Sequence, residues 1–454
     1  MKKSLVNICR LLLAVVFILS GFVKAVDPLG TQYKIEDYME AMSFGGLLPD
    51  FVTLGASVFL SAVEFCLGIF LLFAIQRRMT SRLVLVLLLV MTPLTLWLAL
   101  TDPVKDCGCF GDALVLTNWQ TFLKNVVLLA AACVVARWPM EMFRFVCKSN
   151  QWIVINYSAV FIIAVSTWCL YYLPIFDFRP YHIGANIQEG MTIPEGEEPP
   201  QFETTFIMEK EGRQQEFTLD DYPDSTWTFI DSKTRQVSEG YIPPIHDFSI
   251  SLLENTDEGR EESGDITDDV LSRKGYTFLL VSPHLGNADD SRLDLINELY
   301  EYSREKSYPF YCLTASSASD INLWCDRTGA EYPFCLSDET TLKTIIRSNP
   351  GLLLLKDGTI IRKWSHNDLP VINESQAAQP LEQMEIGKMP ANSVVSKILQ
   401  LLLWFALPLA LLTIADRLWM WTKWLRRKRP TPPTHPNSPT PPNSPNPPND
   451  PTKP

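Results

Sequence analysis

A chain of 454 residues with 47% hydrophobic side chains and a net charge of −12 is long enough for about three folded units. The charge is uneven: residues 175–395 hold 39 acidic and 18 basic side chains, a net of −21, while the remainder is basic. An acidic segment of that strength excludes nucleic acid as a partner, because nucleic acid needs clustered Lys and Arg, and it is repelled by anionic lipid headgroups.

Uncharged apolar runs crowd the first 175 residues and recur near residue 400. A bilayer core is crossed by roughly 20 apolar residues in helical form. Six segments qualify, at 5–23, 51–75, 83–100, 119–136, 152–174 and 398–419. The third contains Pro93, which predicts a kink. The fourth is the least apolar, with Lys124 and Asn125 near its start.

Basic flanks orient the spans. Lys2, Lys3 and Arg10 place the N-terminus inside. The loop 24–50, with two Lys against five acids, lies outside. Arg77, Arg78 and Arg82 return the chain inside, and the loop 101–118, with one Lys and three Asp, is outside again. Arg137, Arg144 and Lys148 mark the next inner loop. The fifth span then delivers the acidic segment outside, and Lys423, Arg426, Arg427, Lys428 and Arg429 anchor the sixth span inside. A cleaved signal peptide ending near Ala25 is the alternative for the first span, though Lys24 is a poor neighbour for cleavage.

The predicted fold class is a polytopic α-helical membrane bundle plus a periplasmic α/β domain, in the bacterial inner membrane with both termini cytoplasmic. The units run as a four-helix bundle (1–138), a fifth transmembrane helix (139–175), a periplasmic β-rich lead-in (176–270), the α/β domain (271–395), a sixth transmembrane helix with a basic cytoplasmic end (396–429) and a tail (430–454). The tail has 12 prolines in 25 residues and no apolar pattern, so disorder is expected there.

Within the acidic segment, residues 202–218 alternate and predict a hairpin around Glu211 and Gly212, while 254–269 reads as an acidic loop. From residue 276 the pattern sharpens. It gives a strand (276–281), a helix (291–306), a strand (309–313), a helix (318–328), a short strand (332–336) and a helix (340–347). A hairpin with an Asp357-Gly358 turn follows. This is the order of an α/β sandwich.

With Ile245-His-Asp-Phe-Ser-Ile250 ahead of the first core strand and Asn349-Pro350 directly before the hairpin, residues 240–370 resemble the thioredoxin-like superfamily, nearest its peroxiredoxin and TlpA-type branch. The resemblance implies a cis peptide bond at Pro350. It also implies a Cys-x-x-Cys pair at the start of the helix after the first core strand, where the helix N-terminus lowers a thiol pKa. The corresponding stretch, residues 282–290, contains no cysteine. His284 there reads as a solvated loop histidine. Cys312 ends a strand and is expected to be buried. Cys325 and Cys335 flank a short turn and are expected as free buried thiols, with a structural disulfide between them in an oxidising compartment as the alternative.

Two features of the bundle carry chemistry. Asp106-Cys107-Gly108-Cys109-Phe110-Gly111-Asp112 lies in a short outside loop. Two thiols one residue apart can close a strained, easily reduced ring at the membrane surface, within reach of a quinone and of a periplasmic thiol. A static disulfide or half of a metal site is the alternative, though the loop offers no further soft ligand. Glu64 lies near the middle of the second span, where a carboxylate must face the bundle and serve a proton relay, a ligand or an interhelical bond. Lys24 and Lys124 are candidate partners for it. Cys169 is a candidate third thiol; Cys66 and Cys133 read as packing groups, and Cys9 and Cys147 face the cytoplasm.

Phe17-Ile-Leu-Ser-Gly-Phe-Val-Lys24, Asp27-Pro28, the Glu64 segment and the Cys107–Gly111 run together resemble the DoxX/MauE family of four-span membrane proteins, over residues 5–138. The resemblance implies participation in periplasmic disulfide or electron-transfer processes beside a thioredoxin-like partner, with Cys107, Cys109 and Glu64 as the catalytic residues. Two functions follow. One is a thiol–quinone oxidoreductase acting on periplasmic disulfides, with a membrane quinone as its cofactor. The other is a non-catalytic scaffold that presents the degenerate domain to a periplasmic or membrane protein partner.

Overall fold

A computed structural model describes residues 1–104, 108, 110–199, 201–210, 213–218, 227–238, 240–256, 259–391 and 394–428. Cys107, Cys109, the turn at 211–212, Arg429 and the tail at 430–454 lie outside the described residues.

The chain opens with α1 (Lys2–Val26), a short α2 (Pro28–Ala41), α3 (Asp50–Phe73), α4 (Arg77–Thr101), α5 (Asn118–Arg137) and α6 (Gln151–Tyr171). All but α2 are long and apolar enough to cross a membrane, as is a last helix at the far end of the chain, which marks a multi-pass membrane protein. Leu5, Leu12, Phe59, Val86 and Val127 point outward, while Ser20, Ser57, Ser61, Thr95 and Asn125 are buried. That inversion suits hydrocarbon surroundings, where helices associate through close packing and internal polar contacts. On α3 the inner face is a stripe of Thr53, Ser57, Ser61, Glu64 and Gly68, spaced by three or four residues. It receives α1 at very short range. A side-chain carbon added at Gly21 would fall 2.3 Å from the Phe65 nitrogen, and one at Gly68 would fall 2.7 Å from the Ile18 nitrogen.

α2 is an element that sequence reading left as loop. Pro28 occupies its first turn, and the Asp27 carboxylate caps it by accepting from the Gly30 amide at 2.9 Å.

Beyond α6 come α7 (Ile187–Met191) and a separate three-stranded sheet, ordered β2-β1-β3, of β1 (Gln201–Lys210), β2 (Arg213–Thr218) and β3 (Thr228–Ser238). The expected hairpin is the β1–β2 pair, and β3 is an addition. There follow β4 (Ser251–Thr256), β5 (Gly259–Asp265), α8 (Thr267–Leu271), β6 (Tyr276–Val281), α9 (Leu293–Glu305), β7 (Phe310–Thr314), α10 (Ala318–Thr328), β8 (Phe334–Leu336), α11 (Glu339–Ile345), β9 (Gly351–Lys356), β10 (Thr359–Ser365), α12 (Glu374–Ala377) and the last apolar helix, α13 (Val394–Lys428).

These strands form a mixed seven-stranded sheet, ordered β10-β9-β6-β7-β8-β4-β5. β6, β7 and β8 run parallel; β9 and β4 join them antiparallel. β6 is buried at all six positions, as a central strand covered on both faces must be. Tyr276, Phe278 and Leu280 face a core shared with α9 and α10, whereas Leu279 and Val281 face one shared with α7, α8 and α11. The expected loop at 254–269 is corrected: β4 and β5 are an antiparallel edge hairpin. β5 is charged and unalternating because it pairs on one side only, so no apolar pattern announces it.

α13 rests on α6 through the Phe405 and Phe161 rings, whose centroids are 4.5 Å apart. At its other end, Asp416 accepts from the Cys147 amide at 2.9 Å and from Asn150 Nδ2 at 2.7 Å.

Candidate functional site

Glu64 and Lys24 meet inside the bundle. The close α1–α3 crossing brings Lys24 Nζ to 2.8 Å from both Glu64 oxygens, and Ser20 Oγ donates to Oε2 at 2.8 Å. Both charged side chains are 6% exposed. The pair borders a cavity of about 40 Å³, lined also by Met91, Lys124 and Asn125. That volume accommodates two or three waters, and the lining has the polar partners they need. Of the two partners expected for Glu64, Lys24 makes the contact. Lys124 instead lies 4.5 Å from the centre of the Phe110 ring, next in sequence to Cys109.

The residues around the two cysteines sit where the bundle meets the sheet domain. A side-chain carbon on Gly108 would lie 3.0 Å from Lys34 Cγ on α2, and one on Gly111 would lie 3.3 Å from Val23 Cγ1 at the end of α1. Asp112 lies 3.6 Å from Nη2 of Arg347, which follows α11. The same guanidinium holds Asp27 in a fork: Nε is 3.0 Å from both carboxylate oxygens, and Nη2 is 2.9 Å from Oδ2. Two-point recognition of a carboxylate by a planar guanidinium is the strong form of this contact. Burial pushes Asp27 up, but Arg347 and Arg179 outweigh it and hold the carboxyl below its ordinary range. At Asp112 burial prevails over Arg347 and the shift is upward. Tyr33 of α2 completes the contact, its ring centre 5.0 Å from Lys343 Nζ and 5.3 Å from Arg347 Cζ.

A second buried cluster fastens the segment after α6 to the sheet. Asp177 lies 2.7 Å from Arg179 Nε and 2.8 Å from Lys363 Nζ, and Arg179 donates to the Thr344 carbonyl at 3.0 Å. Burial opposes ionisation of Asp177, but Lys363 and Arg179 override it and hold the carboxyl far below its usual value.

In the sheet domain, the Asn349–Pro350 peptide bond is cis. Asn349 faces the cysteine-free stretch: Ser282 Oγ donates to its Oδ1 at 2.6 Å, and its Nδ2 donates to the His284 carbonyl at 2.8 Å. His284 is half-buried and lies 2.9 Å from Glu339. Cys325 and Cys335 are both free thiols, and the alternative of a disulfide between them is not formed. β8 alternates, so Cys335 points into the α11-side core while Cys325, on α10, packs against the opposite core. Burial pushes all three sheet-domain thiols up, Cys335 to about 12 and Cys312 well above its ordinary value; at Cys325 burial prevails over Arg260. Such thiols are weak nucleophiles near neutral pH. Cys169 is buried against Val26, Val165 and Phe176.

Sequence reasoning missed Arg347, Asp27 and Asp112 as a unit. Charge sign alone offered a signal: residues 340–356 carry Lys343, Arg347 and Lys356 and no acidic side chain, inside a strongly acidic segment. The polar stripe on α3 was readable from its helical spacing.

The curated proteins contain no match to the chain. Residues 202–239 match a family model described as "Domain of unknown function (DUF8463)". Residues 2–138 match the model described as "Methylamine utilisation protein MauE". The first 138 residues, with the buried Lys24–Glu64 pair at their centre, are thus a MauE family domain carried on a longer membrane chain.

Proposed function

We propose that the protein is an inner-membrane thiol–quinone redox component in which Cys107 and Cys109 do the chemistry and the sheet domain, thioredoxin-like in descent, serves as a non-catalytic dock. The single observation that carries this reading is the Arg347 fork. It ties a residue three positions before Pro350 to Asp27 and to Asp112, three positions beyond Cys109. The parallel β6–β7 pair followed by the antiparallel β9–β10 hairpin supports the thioredoxin-like reading. The basic flanks support a periplasmic setting for the domain.

The reaction balances as two exchanges. A client dithiol gives two electrons and two protons to the Cys107–Cys109 disulfide, leaving the client oxidised and the loop reduced. The loop dithiol would return to the disulfide by giving two electrons and two protons to a membrane quinone, which would supply the oxidising power as it becomes quinol. Glu64, held by Lys24 and Ser20 beside a polar cavity, is positioned to handle protons on the membrane side.

A second reading is a scaffold without redox chemistry. The cysteine-free stretch 282–290 and the raised pKa values of Cys312, Cys325 and Cys335 favour it. Replacing Cys107 and Cys109 by Ser separates the two. The redox reading expects reduced thiols to accumulate in periplasmic proteins, read by alkylation mass shifts. Unchanged thiol status leaves only the scaffold.

A further inference from the structure

A cavity of about 350 Å³ lies between α2 and α11, at the junction of bundle and sheet domain. Gly108, the residue between the two cysteines, lines it. Tyr33 and Lys34 form one wall, Thr340 and Lys343 the other, and Phe176 gives an apolar side. We propose that this cavity is a binding site for an extended, cysteine-bearing polypeptide segment, held beside Gly108. The inference rests on the thiol-exchange reading above and names its substrate class.

Three observations argue for that occupant. The volume falls at the lower end of the range for sites that enclose a ligand, about 300–1,000 Å³, which admits a few residues of open chain and excludes a folded domain. The lining holds five carboxylates and four cations, a near balance that favours neither a polyanion nor a polycation. The walls are built before any ligand arrives: Tyr33 is held against Lys343 and Arg347, and Arg347 is fixed by Asp27. Preformed walls spare the ordering cost of binding.

The test uses the full chain in detergent and a 12-residue unstructured synthetic peptide carrying two cysteines next to a benzophenone amino acid. Crosslinks are mapped by mass spectrometry, and oxidation of the peptide thiols is followed in parallel. The expected result is crosslinking to α2 and α11, with a yield cut about fivefold by Thr340→Trp, which fills the cavity from an exposed position. Glu301→Trp, exposed on α9 across the sheet, leaves the yield unchanged. Crosslinks that scatter, fail to form or ignore Thr340→Trp overturn the site, whatever happens to the peptide thiols. Crosslinks at α2 and α11 without thiol oxidation uphold the site and overturn the redox reading instead.

Discussion

Two of the buried ion contacts in the molecule differ in almost every respect except chemistry. Lys24 and Glu64 sit 40 residues apart on helices that cross at van der Waals distance, with both side chains 6% exposed. Arg347 and Asp27 sit 320 residues apart, on the sheet domain and the bundle, and the Asp27 side chain is 21% exposed. The first pair is almost wholly buried, with room beside it for only two or three waters, so each charge depends on the other. The second borders the larger cavity, where water can reach the Asp27 carboxylate while Arg347 stays 7% exposed. A contact of the first kind secures a fold, while one of the second kind holds two modules together and can let them part.

The largest expected effect breaks the first contact. Glu64→Ala strands Lys24 in the bundle and should cost about 3–5 kcal/mol, the usual penalty for orphaning a buried charge. Lys24→Met with Glu64→Leu should recover most of that, since a matched apolar pair of similar volume replaces both charges. Thermal unfolding of the purified protein measures both; equal losses in the single and double variants would refute a buried, mutually dependent pair.

An intermediate effect is expected at the interface. Arg347→Ala should cost about 2–3 kcal/mol of docking. Amide exchange should quicken in α2 and α11 while β6 and β9 keep their protection, and unchanged exchange in α2 would remove Arg347 as the fastening. Asp27 adds a pH signature. Its carboxyl is held below its ordinary value in the folded protein, so its contribution is complete above the unfolded carboxylate range, near pH 4, and is lost as pH falls through the lowered value. Exchange in α2, corrected for intrinsic rate, should therefore rise between pH 4 and 2 in the native chain and stay flat in Arg347→Ala.

The smallest effect is expected at the sheet-domain thiols. With its thiol pushed up to about 12, Cys335 should be labelled by maleimide at pH 8 only after unfolding. Rapid labelling of the folded protein would place it among the reactive groups and blur the division between the two modules.

The order of elements from β6 to β10 and the positions of the six apolar helices were legible because both arise from short-range periodicity. Tyr276–Val281 and Ala318–Thr328 are read from their own residues. α2 was harder: its mean character is polar, and it is stabilised by the Asp27 cap and by contacts with Arg347 and Lys343 from the far end of the chain. β5 was illegible because an edge strand needs no apolar face. Glu64 was marked as a site by its place in hydrocarbon, yet its partner was decided by Gly21 and Gly68, which let two helices approach closely enough for Lys24 to reach.

Hydrocarbon thickness, basic flanks and alternation of side chains thus settled, from the residues in order, which segments cross a membrane and which strands lie at the centre of the sheet. Which charges neutralise one another, which thiols share a face and where a cavity opens depend on distances between segments hundreds of residues apart. Those distances exist only once the chain has packed, so the Arg347 fork and the cavity beside Gly108 belong to the tertiary structure alone.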